Sequence, residues 1–175
     1  MEKMAILQIL STTKGGKTRQ AVLHRPAEQV TKFDESLTHL VEDLIETMKN
    51  DIICIGLAAP QVGISLQVAV VCPDRDFSNV KVLINPTNII ESGKKDIKRE
   101  SCMSLPDLGG NVERRKRLSV DVMALDGAAT TLQFEGFEAR AAAHELDHLF
   151  GTMYSDKADT LVALDFDVIR SRLAG

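Results

Sequence analysis

The segment His144-Glu145-Leu146-Asp147-His148 constrains the fold most. It fits the pattern HExxH, which has chemical meaning only on a helix. Residues four apart on a helix lie one turn above each other, so both imidazoles face the same way. Two such imidazoles can clamp one divalent ion. Glu145 then lies beside the ion, placed to take a proton from a bound water. The flanks make the helix a buried one. Ala139, Ala142, Ala143, Leu146, Leu149 and Phe150 form one apolar face, and Phe137, Ala141, His144 and His148 form a second. A helix apolar nearly all round belongs inside the molecule. Imidazoles and carboxylates are costly there unless something satisfies them. A structural histidine pair is the bland reading; a metal site answers the cost better.

The rest of the chain has to enclose that helix. Asp34 can cap a helix in which Leu37, Leu40, Val41, Leu44, Ile45 and Met48 recur at helical spacing, ending near Asn50. The period then changes. Leu66 to Val71, Val80 to Ile84, Leu118 to Leu125 and Thr130 to Phe134 are rich in β-branched residues and read as strands. Asp126-Gly127 marks a turn before the last of them. The HExxH helix starts near Gly136 and stops at Gly151, a suitable C-terminal cap. A further helix is expected over Leu161 to Leu173, and the polar stretch 11–20 is expected to be a loop. This order predicts an α+β fold, with small mixed or antiparallel sheets packed around a central HExxH-bearing helix. An amphipathic helix precedes the sheets and a C-terminal helix follows. At ~100–200 residues per domain, 175 residues make one domain over 1–175.

Composition narrows the partners. The net charge is -4, so general nucleic-acid affinity is not expected. Six Phe, one Tyr and no Trp leave little for base stacking. No apolar run reaches the ~20 residues of a membrane span. The apolar opening from Met1 to Leu10 is broken by Gln8, and no small-residue cleavage site follows, so it is expected to be mature protein. Cys54, Cys72 and Cys102 are an odd number, which points to a reducing compartment and not to a disulfide framework.

The third metal ligand is open on these grounds. A HExxHxxGxxH protease would use a third His, but Tyr154 stands at that place after Gly151. Asp156, Asp159 or a distant thiolate remain. Two more segments bear on the choice. Glu100-Ser101-Cys102-Met103-Ser104-Leu105-Pro106 puts a Cys at a strand end, before a Pro-Asp-Leu-Gly-Gly turn. Alone, Cys102 reads as a small buried hydrophobe. Cys54-Ile55-Gly56-Leu57-Ala58-Ala59-Pro60-Gln61 reads alone as a tight, close-packed turn. Together, in this order and spacing, the three segments closely resemble the peptide deformylase signatures GxGLAAPQ, EGCLS and HExDH. The similarity covers roughly residues 4–160.

The resemblance implies a hydrolase that removes the formyl group from the formyl-methionine of new bacterial polypeptides. It implies that Cys102, His144 and His148 hold one divalent ion, with water in the fourth position. Such an open site suits catalysis. Fe²⁺ is the expected metal, and Zn²⁺, Ni²⁺ or Co²⁺ are alternatives. Glu145 is the expected general base, then acid. The Gln61 amide and the Met103 backbone N–H are the expected oxyanion donors. Ile55, Gly56, Phe137 and Ala141 would line the substrate site, with Gly56 as a filter for the small formyl group. Asp147 is expected either to orient a ligand His or to serve as an exposed cap or ion pair. The implied partners are the formylated peptide and, transiently, the ribosome, in the bacterial cytoplasm. The long C-terminal extension that some relatives use at the ribosome is not expected.

The chain departs from the family pattern at Cys54, Ser101, Met103, Ala143 and Gly109. Ser101 would strain its turn if a positive φ were needed there. The run Arg114-Arg115-Lys116-Arg117 is expected to be a solvated strand end, and Cys72 a packing residue. An ordinary HExxH protease and a formyl-peptide binder without turnover are the competing readings. Cys102→Ala separates the protease. Metal content should survive the change if the third ligand lies downstream of His148, and be lost if it is Cys102.

Overall fold

The computed structural model describes residues 4–11 and 21–175. The expected loop at 11–20 therefore lies, from residue 12 on, outside the described residues. Helix α1 runs Glu35–Lys49. Its N-terminus forms where the Asp34 carboxylate accepts the backbone N–H of Ser36 at 3.1 Å and Leu37 at 3.4 Å. Its buried face carries Leu37, Val41, Leu44, Thr47 and Met48. It packs against a small antiparallel sheet made of β1 (Gly56–Ala58), β2 (Val68–Val71) and β3 (Lys81–Ile84), in that order.

A second antiparallel sheet is built on one long hairpin, β4 (Thr87–Cys102) and β5 (Leu105–Met123). Strand β6 (Ala129–Glu135) pairs with the far end of β5, and β7 (Leu161–Ala163) pairs with Leu108–Gly110 near its start. Helix α2 (Gly136–Leu149) lies between the two sheets, against β1 and β2 on one side and β5 and β6 on the other. Its Ala139, Ala142, Leu146 and Leu149 join Val71, Leu83, Val120 and Phe134 in one core. Helix α3 (Phe166–Ala174) ends the described chain. Among the described residues, no helix is long and apolar enough to cross a membrane.

The expected α+β architecture with antiparallel sheets and a C-terminal helix is the one observed. Three local expectations are corrected. Pro106–Gly110 is not a turn: the hairpin reverses at Met103-Ser104, and Pro106–Gly110 lies inside β5. Gly109 and Gly110 pair with both β4 and β7, and Pro106–Leu108 bulge from the β4 ladder with Asp107 at φ 62°. The segment from Leu161 opens as strand β7, so the last helix starts only at Phe166, where Asp165 caps the Val168 N–H at 2.9 Å. The strand expected from Leu118 begins at Leu105. Its alternation is masked by charged residues because one face of the hairpin is solvated.

Gly151 closes α2 in the left-handed conformation, at φ 75°, and a Cβ there would lie 2.6 Å from the Arg25 backbone. Gly151→Ala should therefore cost about 2–3 kcal/mol, combining backbone strain with a backbone clash. A urea midpoint lowered without a change in slope would show it.

Candidate metal centre

Three stretches of chain meet at the middle of α2. Cys102 comes from the last residue of β4 and the two histidines from α2. One ligand atom from each of Cys102, His144 and His148 lies within 4.8 Å of the others. The Cys102 Sγ is 3.3 Å from His148 Nε2. The set has the donors of an open, catalytic transition-metal site: one soft sulfur and two imidazoles. Asp156 is used elsewhere, accepting the Met153 N–H at 2.7 Å. Tyr154 stacks on the His144 ring at 6.0 Å and donates its hydroxyl to the Leu108 carbonyl at 3.0 Å. The place of the missing third His thus braces a histidine ring.

Glu100 orders the site from behind. Its Oε2 lies 3.1 Å from His144 Nδ1, leaving Nε2 for the centre. Its Oε1 accepts from Arg114 Nε at 2.6 Å and from Arg140 at 2.7 Å, and its Oε2 accepts a second Arg114 bond at 2.8 Å. Burial alone would raise the Glu100 carboxyl, but the bonds from Arg114 and His144 outweigh it and hold it at about 2. Asp147 binds Arg114 at 2.9 Å and Lys157 at 2.7 Å. It is an ion-pair residue that reaches His144 only through Arg114 and Glu100. Arg114, expected to be solvated, is instead 5% exposed. It points to α2 from mid-strand, where Glu100 and Asp147 match its charge. Arg115, Lys116 and Arg117 are exposed as expected.

The electrostatics favour a cation. Burial depresses the His144 imidazole, but Cys102 and Glu100 overcome this and hold it well above its ordinary value. His148 is driven well below, by burial and then by the charge on His144. The negative field that would keep a proton on His144 would equally hold a metal ion. Glu145 is buried, and its Oε2 lacks a partner among the described residues. Burial pushes its carboxyl up to about 7, suited to moving protons near neutral pH. Gln61 is 1% exposed. Its Oε1 accepts the Ala58 N–H at 2.9 Å, which turns Nε2 toward Cys102 Sγ at 3.4 Å and Ser104 Oγ at 3.3 Å.

A cavity of about 160 Å³ opens beside these groups. Its lining includes Ile55, Gly56, Gln61, Met103, Phe137 and Ala141, with Cys102, His144 and Glu145. Every expected site residue borders it except His148, which lies behind the ligand cluster at 0% exposure. A Cβ on Gly56 would fall 2.5 Å from Glu145 Oε1, so glycine is required for that approach. Ser101 does not have a positive φ, and its backbone accommodates a side chain without that strain. Cys54 is buried, its Sγ 3.3 Å from the Gly56 carbonyl, and burial raises its thiol far above the usual range. Cys72 packs in the core below α1. Sequence reasoning assigned no role to Arg140, although a lone arginine on an apolar helix face was a sign of a buried counter-charge.

Residues 14–163 match the polypeptide deformylase family model. The chain belongs to the polypeptide deformylase family. It is 43% identical over 156 residues to peptide deformylase 1 of Bacillus cereus, covering 88% of this chain and 93% of that one. It is 37% identical over 158 residues to the Desulforudis audaxviator peptide deformylase, covering 90% and 97%. The solved peptide deformylase of Thermotoga maritima superposes with a TM-score of 0.77 at 34% identity, covering 89% of this chain and 99% of its own. A class I type b deformylase from Acinetobacter baumannii, solved with Met-Ala-Ser bound, gives 0.77 at 30% identity, covering 89% and 99%. Deformylases are metal-dependent, and the Cys102, His144 and His148 group fits that requirement.

Arg114→Met should cost about 3–5 kcal/mol, because it leaves buried Glu100 short of a charge partner. The pH dependence has a definite sign. The folded Glu100 carboxyl sits at about 2, below its ordinary 4.5. Its contribution is complete above that ordinary value and is lost as pH falls toward the folded one. Urea midpoints should decline between about pH 5 and pH 2 in the parent, and more shallowly in Arg114→Met.

Proposed function

We infer that this chain is a metal-dependent hydrolase that removes the formyl group from the N-terminal formyl-methionine of new polypeptides, releasing formate. The observation that carries the reading is the convergence of Gln61, Cys102, His144 and Glu145, from three distant stretches, on one cleft, with His148 against Cys102 behind it. Cys102, His144 and His148 would hold the ion, with Fe²⁺ assigned by family and Zn²⁺, Ni²⁺ and Co²⁺ compatible with the same donors. When bound, a divalent ion there supplies Lewis-acid activation of a water molecule and of the formyl oxygen.

The chain's own groups do the rest. Glu145 takes a proton from the attacking water and returns it to the leaving amine. Water oxygen adds to the formyl carbon, the amide C–N bond breaks, and formate and a free methionine amine depart. The oxyanion of the addition step needs fixed donors. Gln61 Nε2, aimed by the Ala58 contact, supplies one, and the Met103 backbone N–H supplies the other. Gly56 lets the Glu145 carboxylate lie close against β1 at the cleft, where a larger acyl group would meet it.

Substrate placement follows from two free strand edges. β1 ends the first sheet's order and β4 ends the second's. Both edges border the cavity, at Gly56 and at Ser101-Cys102. An extended peptide can add to them as a strand. With its formyl end at Cys102, it runs antiparallel to β4 toward Arg99. Ile55, Phe137 and Ala141 then receive the methionine side chain on the α2 side. Residues 1–175 act as one catalytic unit in a bacterial cytoplasm, in transient contact with the ribosome that delivers the substrate.

The test is anaerobic formate release from a formyl-Met peptide by Fe²⁺-loaded and Ni²⁺-loaded protein, with an acetyl-Met peptide as control. Formate from the formyl peptide alone is expected. Glu145→Gln should lower turnover by about 10²–10⁴-fold with metal content unchanged. No formate from fully metallated protein overturns the reading and leaves a binding homologue.

A further inference from the structure

The β4 edge carries a free cation where it borders the cleft. Arg99 is exposed and lines the cavity that also holds Cys102, His144 and Glu145. Its side chain makes no hydrogen bond or ion pair with any described residue. The other arginine of the cavity lining, Arg140, is bound to Glu100 at 2.7 Å. In a chain with a net charge of -4, an unpaired guanidinium at the cleft stands out.

The carboxylates of the surrounding elements are held by other groups. On β4, Asp96 pairs with Lys98 at 3.6 Å, and Glu100 binds Arg114 and Arg140. On β5, Glu113 pairs with Lys95 at 2.6 Å, and Asp107 accepts the Phe166 N–H at 3.4 Å. In the C-terminal segment, Asp165 caps Val168 and Asp167 binds Arg170. Asp51, ahead of β1, also binds Arg170. None of these pairs with Arg99.

Strand geometry says which substrate residue meets it. Side chains alternate between faces along a strand. Glu100 and Cys102 are buried toward α2, so Arg99 and Ser101 point to the opposite face. The partner strand agrees: Arg99 pairs with exposed Asn111, whereas Lys98 pairs with buried Val112. A peptide laid on this edge with methionine toward α2 turns its next side chain to the Arg99 face. At ~3.3 Å per residue, that side chain leaves the peptide about 7 Å from the formyl end, and Arg99 lies about 10 Å along β4 from Cys102. The two are diagonal neighbours on one face, within reach of a long side chain.

We propose that Arg99 is a specificity-determining residue that selects an acidic side chain immediately after the formyl-methionine. This rests on the deformylase reading and adds a contact beyond the methionine site. A carboxylate there meets a guanidinium that no described group pairs, an amide gains less, and an ammonium is repelled. An ion pair this exposed is modest in strength and screened by salt. The selection is therefore severalfold and is carried by KM. Because the Arg99 side chain is bonded to nothing in the folded chain, replacing it leaves the packing intact.

The experiment compares formyl-Met-Glu-Ser, formyl-Met-Gln-Ser and formyl-Met-Lys-Ser, all with amidated C-termini so that no terminal carboxylate contributes, using Ni²⁺-loaded protein. At low salt the parent should prefer Glu over Gln by about threefold in kcat/KM, and over Lys by about tenfold. The preference should shrink toward unity at about 1 M salt, where screening acts within about 3 Å. Arg99→Gln should remove it, raising KM for the Glu peptide with kcat nearly constant. Arg99→Lys should retain most of it, and Arg99→Glu should make the Lys peptide the best of the three. Lys98→Gln, on the other face of β4, should leave it in place. Equal rates on the Glu and Gln peptides in the parent, or a preference unchanged in Arg99→Gln, overturns the proposal. No formate from any peptide with parent protein overturns the deformylase reading instead. Calorimetry with the amidated Met-Glu-Ser and Met-Gln-Ser peptides, on parent and Arg99→Gln, then decides the role of Arg99.

Discussion

Glu100 is a buried carboxylate that accepts from two arginines and orients one metal-ligating imidazole. Left alone, such a charge would be prohibitive inside a protein. Arg114 from β5 and Arg140 from α2 make it tolerable, and in doing so they tie the hairpin to the central helix. Asp147 accepts a further bond from Arg114. His144 is therefore aimed by a network whose members come from β4, β5 and α2. Changing one member weakens the charge balance of the others, so the Cys102–His144–His148 group and the packing of the second sheet on α2 are coupled.

The cleft exists because two sheets share one helix without joining. Among the described residues, β1 and β4 each present an unpaired edge beside the Cys102–His144–His148 group, and α2 packs against both sheets. Free edges invite uncontrolled pairing. Here Phe166 of the C-terminal segment lines the cavity between them. The cavity between them is lined by Ile55, Phe137, Ala141 and Phe166 beside the Cys102–His144 pair. Gly56 and Gly109 are spaces that Glu145 and Leu164 enter.

Much of this was legible in the residues. The HExxH spacing, the apolar flanks and Gly151 defined α2, and Asp34 with the Leu37–Met48 periodicity defined α1. These are local signals, carried within one or two helical turns. The long hairpin was less legible because its outward face carries Lys and Arg, which hide strand alternation. The Arg114 run misled for the same reason. In four adjacent cationic residues, nothing local distinguishes the one that turns inward to meet Glu100 and Asp147. The turn reading of Pro106–Gly110 failed because Pro and Asp there make a bulge within β5, while Gly109 and Gly110 pair on both edges.

The sequence by itself determined the chemistry available: two imidazoles and a carboxylate on one helix, a cysteine, a glutamine, and helices and strands in α+β order. Those follow from residue type and spacing, which act over a few residues. Tertiary structure decided which groups meet. It brought Cys102 to within 3.3 Å of His148 across 46 residues and aimed Gln61 by one backbone contact. It buried Arg114 against Glu100 and packed Leu164, just after β7, on Gly109. Contacts between distant segments depend on how two sheets pack around one helix, and that packing is a property of the whole chain.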